Sequence, residues 1–192
     1  MLRSSVGLDD QTIACKSGCS HCCYIRVVAS PIEIFGLIDY LRSSLDKAAF
    51  EAFEQRVSEA ADLIRPLSRQ VHMATNVACP ALQDGRCIAY AARPLRCRVH
   101  HSRDVAICID EYENPTITEG PSSQLPVRRF FGEAHVQGFE VALTHTNYDV
   151  GSYEFIAGMH EALTDAESRT RFNRKERAFN QAPCDRKSPL AE

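Results

Sequence analysis

The chain has 192 residues, a net charge of −3 and a pI near 6.2, with 44% hydrophobic and 24% charged residues. That length supports a packed core without disulfide stapling, and the weakly acidic balance offers no general attraction to nucleic acid or to an anionic membrane surface. No apolar run approaches the roughly 18 residues of a membrane span, and Met1 to Asp10 lacks the apolar stretch of a secretory signal, so a cytoplasmic protein without membrane or nucleic-acid partners is expected.

The chain first reaches a knot of cysteines, Cys15, Cys19, Cys22 and Cys23. Behind it, Ser30, Pro31 and Glu33 supply the cap, first-turn proline and capping-box carboxylate of a helix. Ile34, Ile38, Leu41 and Leu45 then recur at the spacing of one buried face. Asp46 caps a second helix with the stripe Phe50, Phe53, Val57, Ala60 and Ile64, which stops near Pro66. The two read as a helical hairpin that covers the cysteine knot and supplies core.

From Cys79 the texture changes to turns: Cys79-Pro80, Asp84-Gly85 before Cys87, and Arg93-Pro94 before Cys97. Residues 87–92 read as a single helical turn, and 102–113 as a helix that carries Cys108 and ends at Asn114-Pro115. Residues 116–127 read as a loop. Two helices follow, over 127–147 with Val136, Phe139 and Leu143 on one side, and over 152–163 with Phe155, Ile156, Met159 and Leu163 on one side. Thr164 or Asp165 caps a last helix, and the polar end from 182 is expected to fray. With no apolar/polar alternation of strand type, the expected fold is all-α. A small helical domain with irregular Cys-bearing loops, residues 1–115, carries a helical extension, residues 116–192, packed on it.

Cys15, Cys19, Cys22 and Cys23, with Cys79, Cys87, Cys97 and Cys108, are eight of the nine cysteines, in two quartets. In a reducing compartment such clusters are metal ligands or redox centres more often than disulfides. Thiolates at Cys15, Cys19 and Cys22 can take three corners of a cubane cluster while a remote thiolate takes the fourth. The same residues can form knuckles for zinc, whereas the wide gaps of the second quartet must be folded into place by turns. An iron–sulfur cluster, favoured as 4Fe-4S, and zinc are both compatible with soft thiolate donors. Adjacent cysteines on a short loop rarely point the same way, so one of Cys22 and Cys23 is expected to ligate the site begun by Cys15 and Cys19, and the other to ligate a second metal or to support the ligands from behind. Cys184 stands apart as a bystander. The three-cysteine spacing also occurs in radical enzymes that cleave S-adenosylmethionine, but the βα alternation those enzymes need is missing here.

The run Cys15-x-x-x-Cys19-x-x-Cys22-Cys23, followed by Cys79-Pro80-Ala81-Leu82 and by Gly85 to Arg98 with Cys87 and Cys97, resembles the YkgJ-type cysteine-cluster family over about residues 12–110. The resemblance implies a bacterial cytosolic protein whose eight clustered cysteines chelate zinc or iron. Flagellin lysine methylases look similar in carrying such a cluster, though no further motif for a methyl-donor site is found here.

His21, His100 and His101 lie close enough in sequence to ligate or to hydrogen-bond a cluster sulfur, with a surface position the plainer expectation for each. His135, His145 and His160 lack metal-ligand spacing. Arg93, Arg96 and Arg98 can offset thiolate charge or simply be solvated. The basic run from Arg169 to Arg177 reads as a solvated helix face. Three functional readings follow: a metal-binding protein acting in electron transfer, metal handling or a protein-modifying system; a metalloenzyme resembling the flagellin methylases; or a structural zinc protein that binds a protein partner.

Overall fold

The computed structural model describes residues 13–115 and 124–186. Most of the loop expected over 116–127, and the start Met1 to Asp10, lie outside the described residues. Helices α1 (Pro31–Ser44), α2 (Lys47–Ile64) and α7 (Phe155–Thr164) form the scaffold. Ser30 and Glu33 close the capping box of α1, with Glu33 Oε2 accepting from both the Ser30 amide (2.9 Å) and hydroxyl (2.7 Å). Asp46 caps α2 by accepting from the Ala49 amide at 2.8 Å. The expected stripes face inward: Ile34, Ile38, Leu41, Phe53 and Val57 are buried. Each such side chain contributes about 1.5–3 kcal/mol relative to exposure.

The hairpin's principal partner is α7 rather than the cysteine knot. Met159 and Ile156 enter the same core as Phe53 and Ile34. At Gly158 a Cβ would stand 2.6 Å from Ile34 Cδ1, so the helix backbone approaches α1 as closely as glycine allows. Helix α8 (Ala166–Asn173) follows, and Asp165 caps it by accepting from the Glu167 amide at 3.0 Å.

The expected all-α fold needs one correction. Strands β1 (Val28–Ala29), β4 (Ser152–Glu154) and β5 (Cys184–Arg186) form an antiparallel sheet in the order β1-β4-β5, with Val28 opposite Glu154 and Tyr153 opposite Cys184. The helix expected from 152 therefore begins at Phe155, after a strand. Strands β2 (Leu82–Gln83) and β3 (Arg86–Cys87) form a small hairpin, so Cys87 lies on a strand and only Tyr90–Ala92 makes a helical turn. Asp84 and Gly85, at φ 50° and 71°, give the hairpin the paired left-handed turn that Asp-Gly favours. The remaining helices are α3 (Arg69–Met73), α4 (Leu95–Val99), α5 (Val105–Glu113) and α6 (Pro126–Thr144). No helix among the described residues is long and apolar enough to cross a membrane.

Of the segment expected to fray from 182, the described residues 182–186 fold back onto the body. Phe179 and Ala182 are buried, and Glu161, 3% exposed on α7, accepts from the amides of Asn180 (2.5 Å), Gln181 (2.9 Å) and Ala182 (2.8 Å). Arg171 stands 3.5 Å from the same carboxylate. Asp149, 1% exposed, likewise accepts from the Tyr153 hydroxyl and the Gly151 and Ala178 amides. The basic run is tied down as well: Arg169 pairs with Asp39 and Arg171 with Asp165.

Removing the Glu161 carboxylate leaves three backbone amides, that of Ala182 buried, without their acceptor. Glu161→Ala is expected to lower unfolding stability by about 2–4 kcal/mol, read from urea midpoints, and to release the Asn180–Ala182 amides to fast hydrogen exchange.

Candidate metal centre

Backbone pairing between irregular segments brings the two cysteine quartets together. The Cys79 amide donates to the Cys23 carbonyl at 2.8 Å, and the Val77 amide to the Tyr24 carbonyl at 3.3 Å. At the hairpin turn, a Cβ on Gly85 would lie 3.8 Å from the Gly18 carbonyl, so the first cysteine loop rests against the tip that presents Cys87. Gly18 itself has φ +85°, a bend that favours glycine. Farther along, the Ala14 amide donates to the Ser102 carbonyl at 2.9 Å, and the Ser102 amide to Cys15 Sγ at 3.2 Å. All nine cysteines are free thiols.

Charge effects link the sulfurs in two groups, each drawing on both quartets. Cys22 and Cys23, on the 3-10 turn His21–Cys23, join Cys79, Cys87 and Cys97. Cys15 and Cys19 join Cys108 of α5. Cys22 and Cys23, adjacent on the tight 3-10 turn, act on each other's ionisation in opposite directions. The neighbouring Cys23 thiol lowers Cys22 to a pKa of about 7, against burial. Cys22 pushes Cys23 up, together with burial and the charges of Cys79 and Cys87. Burial first, then neighbouring thiolates, pushes Cys79 and Cys97 up to about 12. Cys87 and Cys108 are also raised, chiefly by burial.

Local structure fixes several of these positions. Glu33 uses its second oxygen to accept from the Leu95 amide at 2.8 Å, so the cap of α1 also anchors the first turn of α4, which carries Cys97. Gly132 of α6 lets that helix pack on Val99, where a Cβ would stand 2.9 Å from the valine Cβ. Arg56 of α2 donates to the Pro80 carbonyl at 2.9 Å and so holds the Cys79 turn to the scaffold. Tyr112 of α5 packs edge-on against Tyr24 and His21, at 4.8 and 5.8 Å between ring centres, and so closes α5 over the 3-10 turn.

The arginines and histidines separate by role. Arg93 stacks on the Tyr90 ring at 3.6 Å, and its charge favours the thiolate forms of Cys22, Cys87 and Cys97. Arg96 pairs with Glu133 at 2.8 Å, and Arg98 donates to the carbonyls of Arg93 and Ala91. His101 is not at the surface: it is 7% exposed, with Nδ1 2.9 Å from the Val99 carbonyl and Nε2 accepting from the Leu125 amide at 3.0 Å. Both ring nitrogens are used to join the end of α4 to the start of α6. Burial and the neighbouring His101 push His100 down, which favours its neutral form. Cys184 stays outside both sets and donates to the Arg186 carbonyl at 2.9 Å.

Two residues escaped sequence reasoning. Ser102, 1% exposed, contacts Cys15, and nothing in its sequence context marks it out. Glu154, 2% exposed, caps α7 through one oxygen while the other has no hydrogen-bond partner, and its charge bears on Cys79.

The donors suit a thiophilic metal: soft sulfurs from two segments, an arginine to offset their charge, and protons that a cation can displace. Among the described residues, no group of three or more His, Cys, Asp or Glu side chains is placed to hold a metal ion.

In metal-free protein the thiols should label with iodoacetamide in a fixed order. Cys22, with its pKa of about 7, is expected to react first at neutral pH, at a rate that falls as pH drops below 7 and levels off above it. Cys79 and Cys97 should react slowly and keep accelerating toward pH 12. Peptide mapping by mass spectrometry reads the order, and equal labelling of the three would contradict the environments described.

No curated protein and no solved structure matches the chain. The CxxCxxCC family, described as "Putative zinc- or iron-chelating domain", matches residues 14–119, a span that contains the eight clustered cysteines and excludes Cys184. With more than half its length matched, and two cysteine segments converging within that span, the chain belongs to this family of zinc- or iron-chelating domains.

Proposed function

We propose that this is a metal-binding cysteine-cluster protein whose Cys22, Cys23, Cys79, Cys87 and Cys97 hold an iron–sulfur cluster, and that it works in electron transfer, metal handling or support of a protein-modifying enzyme. The observation that carries this reading is a set of five mutually perturbing thiols beside Arg93. One tetrahedral zinc ion is satisfied by four thiolates. A [4Fe–4S] cluster likewise takes four thiolates, one at each iron of a wider core, and donors spread over a 3-10 turn, the Cys79 loop, β3 and α4 suit a core reached from several directions. The fixed positive charge of Arg93 offsets the negative charge that such a thiolate-rich centre accumulates.

Anaerobic purification followed by elemental analysis tests the reading. Brown protein with stoichiometric iron and acid-labile sulfide is expected, and Cys79→Ser and Cys97→Ser should each lose most of the colour. Colourless protein that carries stoichiometric zinc and takes up no iron on reconstitution would overturn it.

A further inference from the structure

Helix α6 has the reverse of the usual polarity for a helix at a protein surface. Of its 19 residues only Val136 is buried, and its principal partner is α4. Its carboxylates turn toward the body, where Glu133 pairs with Arg96 and Glu140 with Arg186, each at 2.8 Å. The side chains left in water are instead apolar, with Phe130 69%, Phe131 56% and Val141 59% exposed. Ala134 and Ala142 continue the same face, and its polar members, His135 and Gln137, carry no fixed charge. A surface helix ordinarily puts its charged residues on this side.

Two further features of α6 find no explanation among the described residues. Gly132 is required by Val99, but a Cβ on Gly138 would meet nothing within 4 Å. Glycine weakens a helix interior, so its place there calls for a neighbour that comes close to the backbone from outside. Arg128 and Arg129 lie in the first turn, at the positive end of the helix dipole, and that turn holds no acidic residue.

We propose that this face is the interface with a second copy of the chain, in which the two α6 helices pack antiparallel about a two-fold axis level with Val136. Turned end for end, Phe131 comes opposite Val141 and Phe130 opposite Ala142, so each ring meets a smaller side chain. Ala134 comes opposite Gly138, and the two small residues let the backbones approach. Arg128 and Arg129 come alongside the carbonyl end of the copy's helix, where the dipole favours them. A face without fixed charge also meets its own copy without like-charge repulsion, whereas a parallel pair would set arginine against arginine. The two rings and Val141 leave about 300 Å² of apolar surface in water on each copy. With the backbone around Ala134 and Gly138, two such faces bury about 1,000 Å² in all, the lower end for a specific interface, so a micromolar dimer is expected. Because α6 holds α4 through Val99 and Arg96, the pairing braces the helix that carries Cys97.

Sedimentation equilibrium of the full chain, kept reduced, over about 1–300 μM tests the proposal, a range that brackets the affinity of so small an interface. A monomer–dimer equilibrium is expected. Ala134→Glu and Gly138→Arg should each weaken it about 10-fold or more, while circular dichroism and the melting temperature show that the variants fold. An equal mixture of the two should recover association, because the register sets the new carboxylate of one chain against the new guanidinium of the other. A wild type that stays monomeric throughout overturns the proposal, as does a dimer that neither substitution weakens or a mixture that associates no more tightly than either variant. A monomer that instead co-sediments with phosphatidylcholine vesicles, and loses that binding in Ala134→Glu, overturns it in favour of a membrane surface.

Discussion

Everything at the candidate centre depends on irregular backbone from one segment finding its hydrogen-bond partners on the other. A loop that carries closely spaced cysteines cannot satisfy its own amides as a helix does, and a buried amide without a partner costs about 1–3 kcal/mol. Here the Cys79 amide meets the Cys23 carbonyl, the Val77 amide the Tyr24 carbonyl and the Ala14 amide the Ser102 carbonyl. The requirement to pair these groups and the convergence of the sulfurs are one geometric fact. Scaffold side chains then fix the paired loops: Arg56 holds Pro80, and Glu33 holds Leu95.

The same economy explains the small sheet. The residues that leave the cysteine knot become β1, and β4 joins them to the far end of the chain through β5. Arg26, just beyond the knot, forms a two-point pair with Asp185 of β5 at 2.6 and 2.8 Å, and its side chain is only 7% exposed. Arg26 and Arg69 hold the Asp185 carboxyl below the usual carboxylate range. The strand that follows the metal-binding loop is therefore clamped on both sides, by backbone pairing and by charge. Loops that must keep several thiols protonated and near one another gain a rigid exit.

Helices α1, α2 and α8 were legible because their starting signals are local: Ser30 with Glu33, Asp46 with Ala49, and Asp165 with Glu167. The eight clustered cysteines stood out for the same reason, as did the turn at Asp84-Gly85. The strands did not, since runs of two or three residues are too short for alternation to show. Ser152 to Glu154 merged with the apolar pattern of α7, and only pairing with Val28 and Ala29 on one side and with Cys184 and Arg186 on the other makes them strand. The tail looked polar enough to fray because its anchor, Glu161, lies on a distant helix face that otherwise reads as core. Which cysteine joins which set was equally hidden. Sequence proximity groups Cys22 with Cys15 and Cys19, but the charge that bears on it is that of Arg93, and Cys15 and Cys19 bear instead on Cys108 of α5.

The electrostatics of the five-thiol set give its chemistry a direction. Every thiolate that forms there makes the next harder to form, as the mutual effects of Cys22, Cys79 and Cys87 on Cys23 and Cys97 show. Added negative charge alone therefore cannot ionise the set at neutral pH. Cys22 is the exception, because the adjacent Cys23 and the charge of Arg93 both lower its pKa, so a thiolate is available at one exposed point while its partners remain neutral. A cation held there would reverse the sign of each remaining interaction and make the neighbours' protons easier to lose. The burial that makes Cys79 and Cys97 poor thiolates then works for the assembled centre, since low dielectric strengthens attraction to a cation as much as repulsion between sulfurs. Arg93 makes the first thiolate easier to form, and the buried sulfurs give the loaded state its hold.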